Sequence, residues 1–215
     1  MKLARLLVLT LASCSGVAKA PATEVSRYFR VTPERRTLEC SFTILRSGEG
    51  WSITSVTGNL TVEARYDAAD RLLDAQAGLR KGDRVRIEVS GGRAKITAYG
   101  REDQEVDVPP GVIVTSAPDW TDTFRICRLW DRARAGRQTF PGLWIHPVQP
   151  TQQLTFSAEF VRRDGELDVV SIRLRGNSLY RAWIDSAGRM IKLTQGGTVL
   201  VRDGFESAAA ALPNE

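Results

Sequence analysis

Apolar residues recur at every second position along most of this chain, the period of a strand buried on one face. Leu38, Cys40, Phe42 and Ile44 share one side of such a segment, with Thr37, Glu39, Ser41 and Thr43 on the other. A turn at residues 47–50 leads to Trp51 and Ile53, then to Leu60, Val62, Ala64 and Tyr66, and then to a weaker strand over 72–79. Val85, Ile87 and Val89 are joined to Ala94, Ile96 and Ala98 by the short connection Ser90-Gly91-Gly92, a hairpin signal. In the second half, residues 139–145 form a short apolar run broken by Pro141. Leu154, Phe156, Ala158 and Phe160 alternate with polar residues up to Asp164-Gly165, the strongest hairpin turn in the chain. Val170, Ile172 and Leu174, then Tyr180, Ala182 and Ile184, then residues 190–194 and 198–201 continue the pattern.

The middle has a different period. Trp120, Phe124, Cys127 and Trp130 recur at helical spacing, with Ile126 beside them and Arg125, Arg128 and Arg132 elsewhere. Ser116 is placed to cap, Pro118 is tolerated in a first turn, Asp119 sits where a capping-box acid sits, and Gly136 can end the run. The spacing predicts one amphipathic helix over about 117–134. The whole predicts a mostly β domain over 21–206, a large curved antiparallel sheet of about eleven strands in two meanders, wrapped on that one helix. Sheets of this size twist and seldom stay flat. Trp120, Phe124 and Cys127 are expected on the concave side, against Phe42, Ile87, Phe156 and Ile172. The Ala-rich tail, 207–215, is expected to fray. One echo links the halves: Tyr66-Asp67-Ala68-Ala69-Asp70-Arg71-Leu72-Leu73 resembles Ile184-Asp185-Ser186-Ala187-Gly188-Arg189-Met190-Ile191, each reading as strand, Asp-led turn, Arg, strand.

The N-terminus points to export. Lys2 and Arg5 precede the apolar run 6–11, too short to span a bilayer, which takes about 20 residues, and suited to a secretory signal. Leu11-Ala12-Ser13-Cys14 resembles a lipobox, giving a signal over 1–13 and a lipidated Cys14. Ala18-Lys19-Ala20 offers an alternative cleavage near residue 20, with Pro21 set against it. Either route leaves Cys40 and Cys127 as an even pair in an oxidising compartment, where a disulfide is expected. In the chain-entropy model that bridge, stapling helix to sheet, contributes about 4.6 kcal/mol.

The formal charge of +5 includes Lys2 and Arg5, so removing those two leaves +3. Arginines alternate with acids along the strands, with no aromatic-interleaved basic patch, and nucleic acid is not an expected partner. His146 is the only histidine, and no motif arranges triad partners around it. One His and two Cys set for bridging argue against zinc. No phosphate-binding glycine motif occurs. Asp67, Asp70, Asp185 and Glu166 lie at turns and read as solvated. No catalytic residue, metal or cofactor is assigned. Five tryptophans are many for 215 residues. Trp51, Trp120, Trp130 and Trp183, with Phe124, are the candidates to line a ligand cavity, and Trp144 is placed with Trp51 and Trp183 as able to line its mouth, Trp suiting places apolar at one end and wet at the other.

The signal with its lipobox, the curved sheet with a plugging helix, and the run Tyr180-x-Ala182-Trp183-x-Asp185-x-x-Gly188-Arg189-Met190-Ile191-x-Leu193 within 179–202 resemble the lipoprotein-carrier (LolA/LolB-like) fold and periplasmic domains related to it. The resemblance implies an envelope protein that holds an acyl chain or other apolar group in its concave face. It carries over no catalytic residue. Ser15 after the lipobox Cys, where Asp is absent, points to a periplasm-facing outer-membrane anchor, with a soluble periplasmic or secreted protein as the alternative. A scaffolding lipoprotein whose interior is filled by its own helix is the alternative, and a hydrolase a minor one.

Overall fold

The computed structural model describes residues 22–79, 82–98, 100–116, 120–134, 136–147 and 149–212. The signal, both cleavage sites and Cys14 lie outside the described residues. The first meander comprises β1 (Ala22–Val31), β2 (Arg36–Ser47), β3 (Gly50–Thr57), β4 (Leu60–Asp67), β5 (Leu72–Leu79), β6 (Arg84–Ser90), β7 (Arg93–Ala98) and β8 (Gln104–Asp107). Then follow β9 (Ile113–Thr115) and helix α1 (Thr121–Leu129). The second meander is β10 (Gln138–His146), β11 (Gln149–Asp164), β12 (Leu167–Leu174), β13 (Asn177–Ile184), β14 (Met190–Gln195) and β15 (Thr198–Arg202), followed by α2 (Glu206–Ala210).

Among the described residues there are fifteen strands in one sheet, ordered β8-β7-β6-β5-β4-β3-β2-β1-β15-β14-β13-β12-β11-β10-β9. The two meanders are joined where β1 pairs with β15, Tyr28 opposite Arg202. The strand count corrects the expected eleven. β8 and β9, four and three residues long, are too short for alternation to show. The sheet is mixed rather than wholly antiparallel, because β9 runs parallel to β10. Pro141 does not break β10. It pairs with Thr155 of β11, and β9 reaches only Gly142–Trp144 on the other side, so Pro141 lies just beyond that ladder.

The sheet curls until β10 lies against β5 and β6, but its end strands β8 and β9 are not paired with each other. Side chains bridge the seam instead. Arg101 Nη2 donates to the His146 and Pro147 carbonyls, each at 2.9 Å, and Gln153 Nε2 donates to the Asp107 carbonyl at 2.8 Å.

Bulges decide where alternation fails. Tyr28 opposes Cys40 but Phe29 opposes Leu38, so Glu39 is the extra residue. A one-residue slip turns every following side chain to the other face. Cys40, Phe42 and Ile44 are buried as expected, whereas Leu38 is 53% exposed. The same device between Arg65 and Tyr66 exposes Leu73. Phe160 is also exposed, next to the bulge at Val161 near the far end of the long β11.

Helix α1 is nine residues, Thr121–Leu129, not 117–134. Trp130 leaves it in extended conformation. Asp131 then forms a side-chain turn, its Oδ1 accepting Ala133 N–H at 2.9 Å while its own N–H donates to Gln138 Oε1 at 3.1 Å. That local bonding competes with a further helical turn. Trp120, not Ser116, occupies the N-cap, and no side chain caps it. Pro118 and Asp119 fall outside the described residues.

The tail is not frayed through residue 210. α2 packs on the outer sheet face, where Val169, Trp183, Ile191, Val201 and Ala209 are buried apart from the interior cluster. Lys192, paired with Trp183 and Val201, is itself buried. Its ammonium lies 5.1 Å from the Trp183 ring centroid and donates to the Ala209 and Leu212 carbonyls at 3.3 and 2.8 Å. These carbonyls lie at and just beyond the C-terminal end of α2, so the ammonium ties that end to the sheet.

Candidate functional site

The site is built around how α1 is held. Phe124 stacks on Phe42 of β2, with centroids 4.2 Å apart and rings 11° from parallel, and meets Tyr28 of β1 edge-on at 6.4 Å. It is 1% exposed. This confirms the expected docking of Phe124 against Phe42 on the inner face. Ile87, Phe156 and Ile172 belong to the same interior cluster.

The C-terminal half of α1 is gripped by the two echoed turns, which the strand register puts at one rim of the sheet. They are the same structure. Asp67 and Asp185 each accept the N–H groups two and four residues on at 2.9 Å. Each also pairs with the following arginine, Arg71 at 2.7 Å and Arg189 at 2.6 Å. The fourth position of each turn has positive φ, 62° at Asp70 and 73° at Gly188, and there the turns diverge in use. A Cβ on Gly188 would lie 3.4 Å from Arg128 Cα and the Cys127 carbonyl, so glycine lets the turn abut the helix backbone. Asp70 instead presents a carboxylate to Arg125 at 3.2 Å and accepts Trp51 Nε1–H at 3.1 Å. The Arg125 guanidinium lies over Trp51 and Tyr66, 4.2 and 4.8 Å from their centroids, and those two rings stack on each other. Arg128 bonds Glu24 at 3.0 Å.

The N-terminal end of α1 is different. There a cleft of about 320 Å³ opens, lined by Thr115, Ser116, Trp120 and Asp122 on one side and by Trp144, Leu154, Phe156, Leu174, Leu179, Tyr180 and Gln195 on the other. Trp120 and Tyr180 are in tilted contact at 5.5 Å. Gly142 of β10 lets the Phe156 ring lie against that strand, since a Cβ there would come within 2.5 Å of the ring. Ser116 and Trp120 are 2% and 8% exposed, and among the described residues neither Ser116 Oγ nor Trp120 Nε1 has a hydrogen-bond partner. Asp122 Oδ1 accepts Thr123 N–H at 2.6 Å, which answers the positive end of the helix from within the chain.

Of the expected cavity residues, Trp120 lines this cleft. Phe124 lies deeper, in the ring stack. Trp51 stands in the Arg125 cluster and borders a separate cleft of about 310 Å³. Trp130 is buried at the end of α1. Trp183 lies on the outer face, its Nε1 donating to Asp164 at 2.8 Å. It missed the interior because its β13 neighbours Ala182 and Ile184 point there. Trp144, a candidate for a cavity mouth, lines the cleft too, whereas Leu154, Leu179 and Tyr180 are not candidates by sequence. The alternation marks them as strand residues, and only the curl of the sheet brings four strands to one cleft.

His146 stacks on Trp144 at 5.6 Å. Burial, helped by the Arg101 charge, holds its imidazole below the usual value, which favours the neutral ring. Among the acids read as solvated, Asp67 and Asp185 are turn formers and Asp70 is an ion-pair partner. Glu166 offers its carbonyl to Arg132 at 3.0 Å. No cluster of three or more metal-ligating side chains occurs among the described residues, and none of their helices is long and apolar enough to cross a membrane. Cys40 and Cys127 are both buried, and the expected bridge is not formed in this structure. Burial pushes the Cys127 thiol far up, with Asp122 adding to it. Cys40 lies opposite Tyr28 in the β1–β2 pair, and Phe124, three residues before Cys127, meets the Tyr28 ring.

No protein-family model matches the chain, and no curated protein matches it. Among solved structures, one similar chain is a β-barrel-like protein, a domain of unknown function (DUF1849), from Brucella abortus. The TM-score is 0.49 at 8% identity, with 85% of this chain and 94% of that one covered.

Proposed function

We propose that this is an exported envelope protein, lipid-anchored through Cys14, that holds an apolar ligand in the cleft at the N-terminal end of α1. The observation that carries the reading is that cleft. At about 320 Å³ it falls at the lower end of the roughly 300–1,000 Å³ typical of small-molecule sites. Its wall is mainly aromatic and aliphatic. The helix is anchored at the far rim through Arg125, Arg128 and the turn at Gly188, while its near end carries no side-chain cap. Export rests on the leader and on Leu11-Ala12-Ser13-Cys14, and the outer-membrane destination on Ser15, which is not Asp.

A Cys40–Cys127 bridge belongs to the same proposal. Cys40 lies two residues from Phe42, and Cys127 three from Phe124, which stacks on it. An oxidising compartment would close the bridge and lock the helix where it lies. Native mass spectrometry of protein taken from the envelope tests the reading. The expected spectrum shows a diacylated or triacylated Cys14, the mass of one internal disulfide, and a retained apolar adduct released by organic solvent. An unmodified chain beginning at Pro21 or later would overturn the anchor, and a bare polypeptide that takes up no apolar probe would overturn the ligand.

The scaffolding reading has one observation in its favour. The Phe124–Phe42–Tyr28 packing fills the part of the interior beneath the middle of α1. A protein whose near-end cleft binds no probe would be of that kind.

A further inference from the structure

We infer that the rim gripping the C-terminal half of α1 rests on the phospholipid bilayer, with Leu45 and Leu73 entering the headgroup layer, and that the ligand cleft opens at the opposite rim, toward water. The inference rests on the lipid anchor at Cys14 and the cleft proposed above; what it adds is the face of the protein that meets the lipid.

The register of the sheet is the first support. Ala22, where β1 begins, pairs with Arg46, Arg46 with Trp51, Trp51 with Tyr66 and Tyr66 with Leu72. One row thus links the start of β1 to the β2–β3 and β4–β5 turns. The turn at Asp164-Gly165 shares a rim with the turn at Asp185, since Asp168 pairs with Ile184. Seven residues, Ser15 to Pro21, separate Cys14 from Ala22. Eight steps of at most about 3.6 Å reach about 29 Å. From β1 to β5 is four strand spacings of about 4.8 Å, or about 19 Å, so such a tether lets the whole row settle on the membrane. The opposite rim is a poor alternative. β1 is ten residues long, about 30 Å at about 3.3 Å per residue, and running back along it would use the tether's full reach.

The second support is where large apolar side chains are left exposed. Among the described residues, Val25, Leu45, Leu73, Phe160 and Val161 lie within four residues of strand ends at this rim, whereas only Val31 and Leu38 lie toward the other. Scattered apolar residues are ordinary on a surface, but a gathering at one end marks an interface. Leu45 and Leu73 stand nearest the turns. With Trp51 and Tyr66 they line the cleft of about 310 Å³ that opens there.

The acids of this end offer little repulsion to an anionic headgroup layer. Asp67, Asp70, Asp185 and Glu24 are each ion-paired, with Arg71, Arg125, Arg189 and Arg128. The ligand cleft, by contrast, is lined by Leu174, Leu179 and Gln195, at the strand ends away from this rim. Ligand therefore enters from the aqueous side rather than directly out of the bilayer.

The test uses the full lipidated chain in vesicles of phosphatidylethanolamine and phosphatidylglycerol. A nitrobenzoxadiazole label on Gly48→Cys reports the β2–β3 turn, where the residue is exposed and has room for a side chain. The same label on Asn177→Cys reports the opposite rim, at the exposed start of β13. Cys40 and Cys127 are buried and stay unlabelled in the folded chain. We expect the label at 48 to shift to the blue and to be quenched about twofold or more by lipid spin-labelled near the headgroup, while the label at 177 keeps its emission in water. Leu45→Asp combined with Leu73→Asp replaces two exposed side chains. It should leave the melting temperature unchanged and remove most of the quenching at 48.

Both labels remaining in water on a chain that floats with the vesicles would overturn the docking and leave the anchor standing. Quenching at 177 instead of 48 would overturn the orientation. A blue shift at 48 without quenching by lipid would mean that protein covers the rim, which also overturns it. A chain with unmodified Cys14 that does not float would overturn the anchor and this inference with it.

Discussion

Removing the ring of Phe124 tests the feature on which the architecture depends, the docking of α1 inside the sheet. Phe124 is 1% exposed and touches two aromatic rings, stacked on Phe42 and edge-on to Tyr28. Truncating a buried Phe to Ala costs about 3–5 kcal/mol, transfer and cavity terms together. Each aromatic contact adds about 0.5–1.5 kcal/mol beyond area burial, which places this site in the upper part of that range, about 4–5 kcal/mol. In a chain of this length each kcal/mol moves the melting temperature by about 2–4 °C, so Phe124→Ala should lower it by about 8–20 °C. Urea unfolding followed by tryptophan fluorescence and far-ultraviolet dichroism reads the loss as a lower midpoint at an unchanged slope. A double-mutant cycle with Phe42→Ala should return a coupling of about 0.5–1.5 kcal/mol for the stack. Phe124→Asp should be worse still, since it places an unpaired carboxylate in the same space. A midpoint for Phe124→Ala within error of wild type would mean that α1 does not lie on β1 and β2, and the site built on its placement would fall with it.

Three further outcomes follow from the same structure. Asp70→Ala strands the nearly buried Arg125 guanidinium and should destabilise by about 1–3 kcal/mol, while Asp70→Gly, which relieves the positive φ of 62°, should recover about 1 kcal/mol of that; equal stability of the two variants in urea would contradict it. The Asp168 carboxyl is held below the usual range chiefly by its hydrogen bond from Arg132, with Arg163 adding to it. Its contribution is therefore complete above the unfolded carboxylate value and lost as pH falls through the lower folded one. Asp168→Asn should be less stable at pH 7 and lose less stability below about pH 4, and an unchanged slope of urea midpoint against pH would refute this. Lys192→Met removes the donor to the Ala209 and Leu212 carbonyls and should speed hydrogen exchange across 206–210 while strands of the inner core stay protected, which exchange mass spectrometry reads directly.

The class of fold was legible because alternation is a local property. Burying one sheet face demands every second residue apolar, and Cys40–Phe42–Ile44 or Leu60–Val62–Ala64–Tyr66 declare themselves without reference to the rest of the chain. The paired Asp-led turns were legible for the same reason: the bonds of Asp67 to Ala69 and Arg71, and of Asp185 to Ala187 and Arg189, span four residues. The helix was visible as a change of period, and Phe124 as its inward residue. Its ends were not, because Asp131 bonds to Gln138 across a turn whose geometry depends on where β10 begins. The two very short strands, the bulges at Glu39 and Val161 and the docking of the Ala-rich tail on Lys192 likewise depend on partners distant in sequence. A bulge costs one residue of register and reverses every face beyond it, so Leu38 reads as core and lies in solvent. The cleft is the extreme case. Trp144, Leu154, Leu174, Tyr180 and Trp120 come from four strands and the start of a helix, and each alone is an ordinary core or edge residue. Only the curl of a fifteen-stranded sheet, and a helix anchored at one rim and uncapped at the other, brings them around one space.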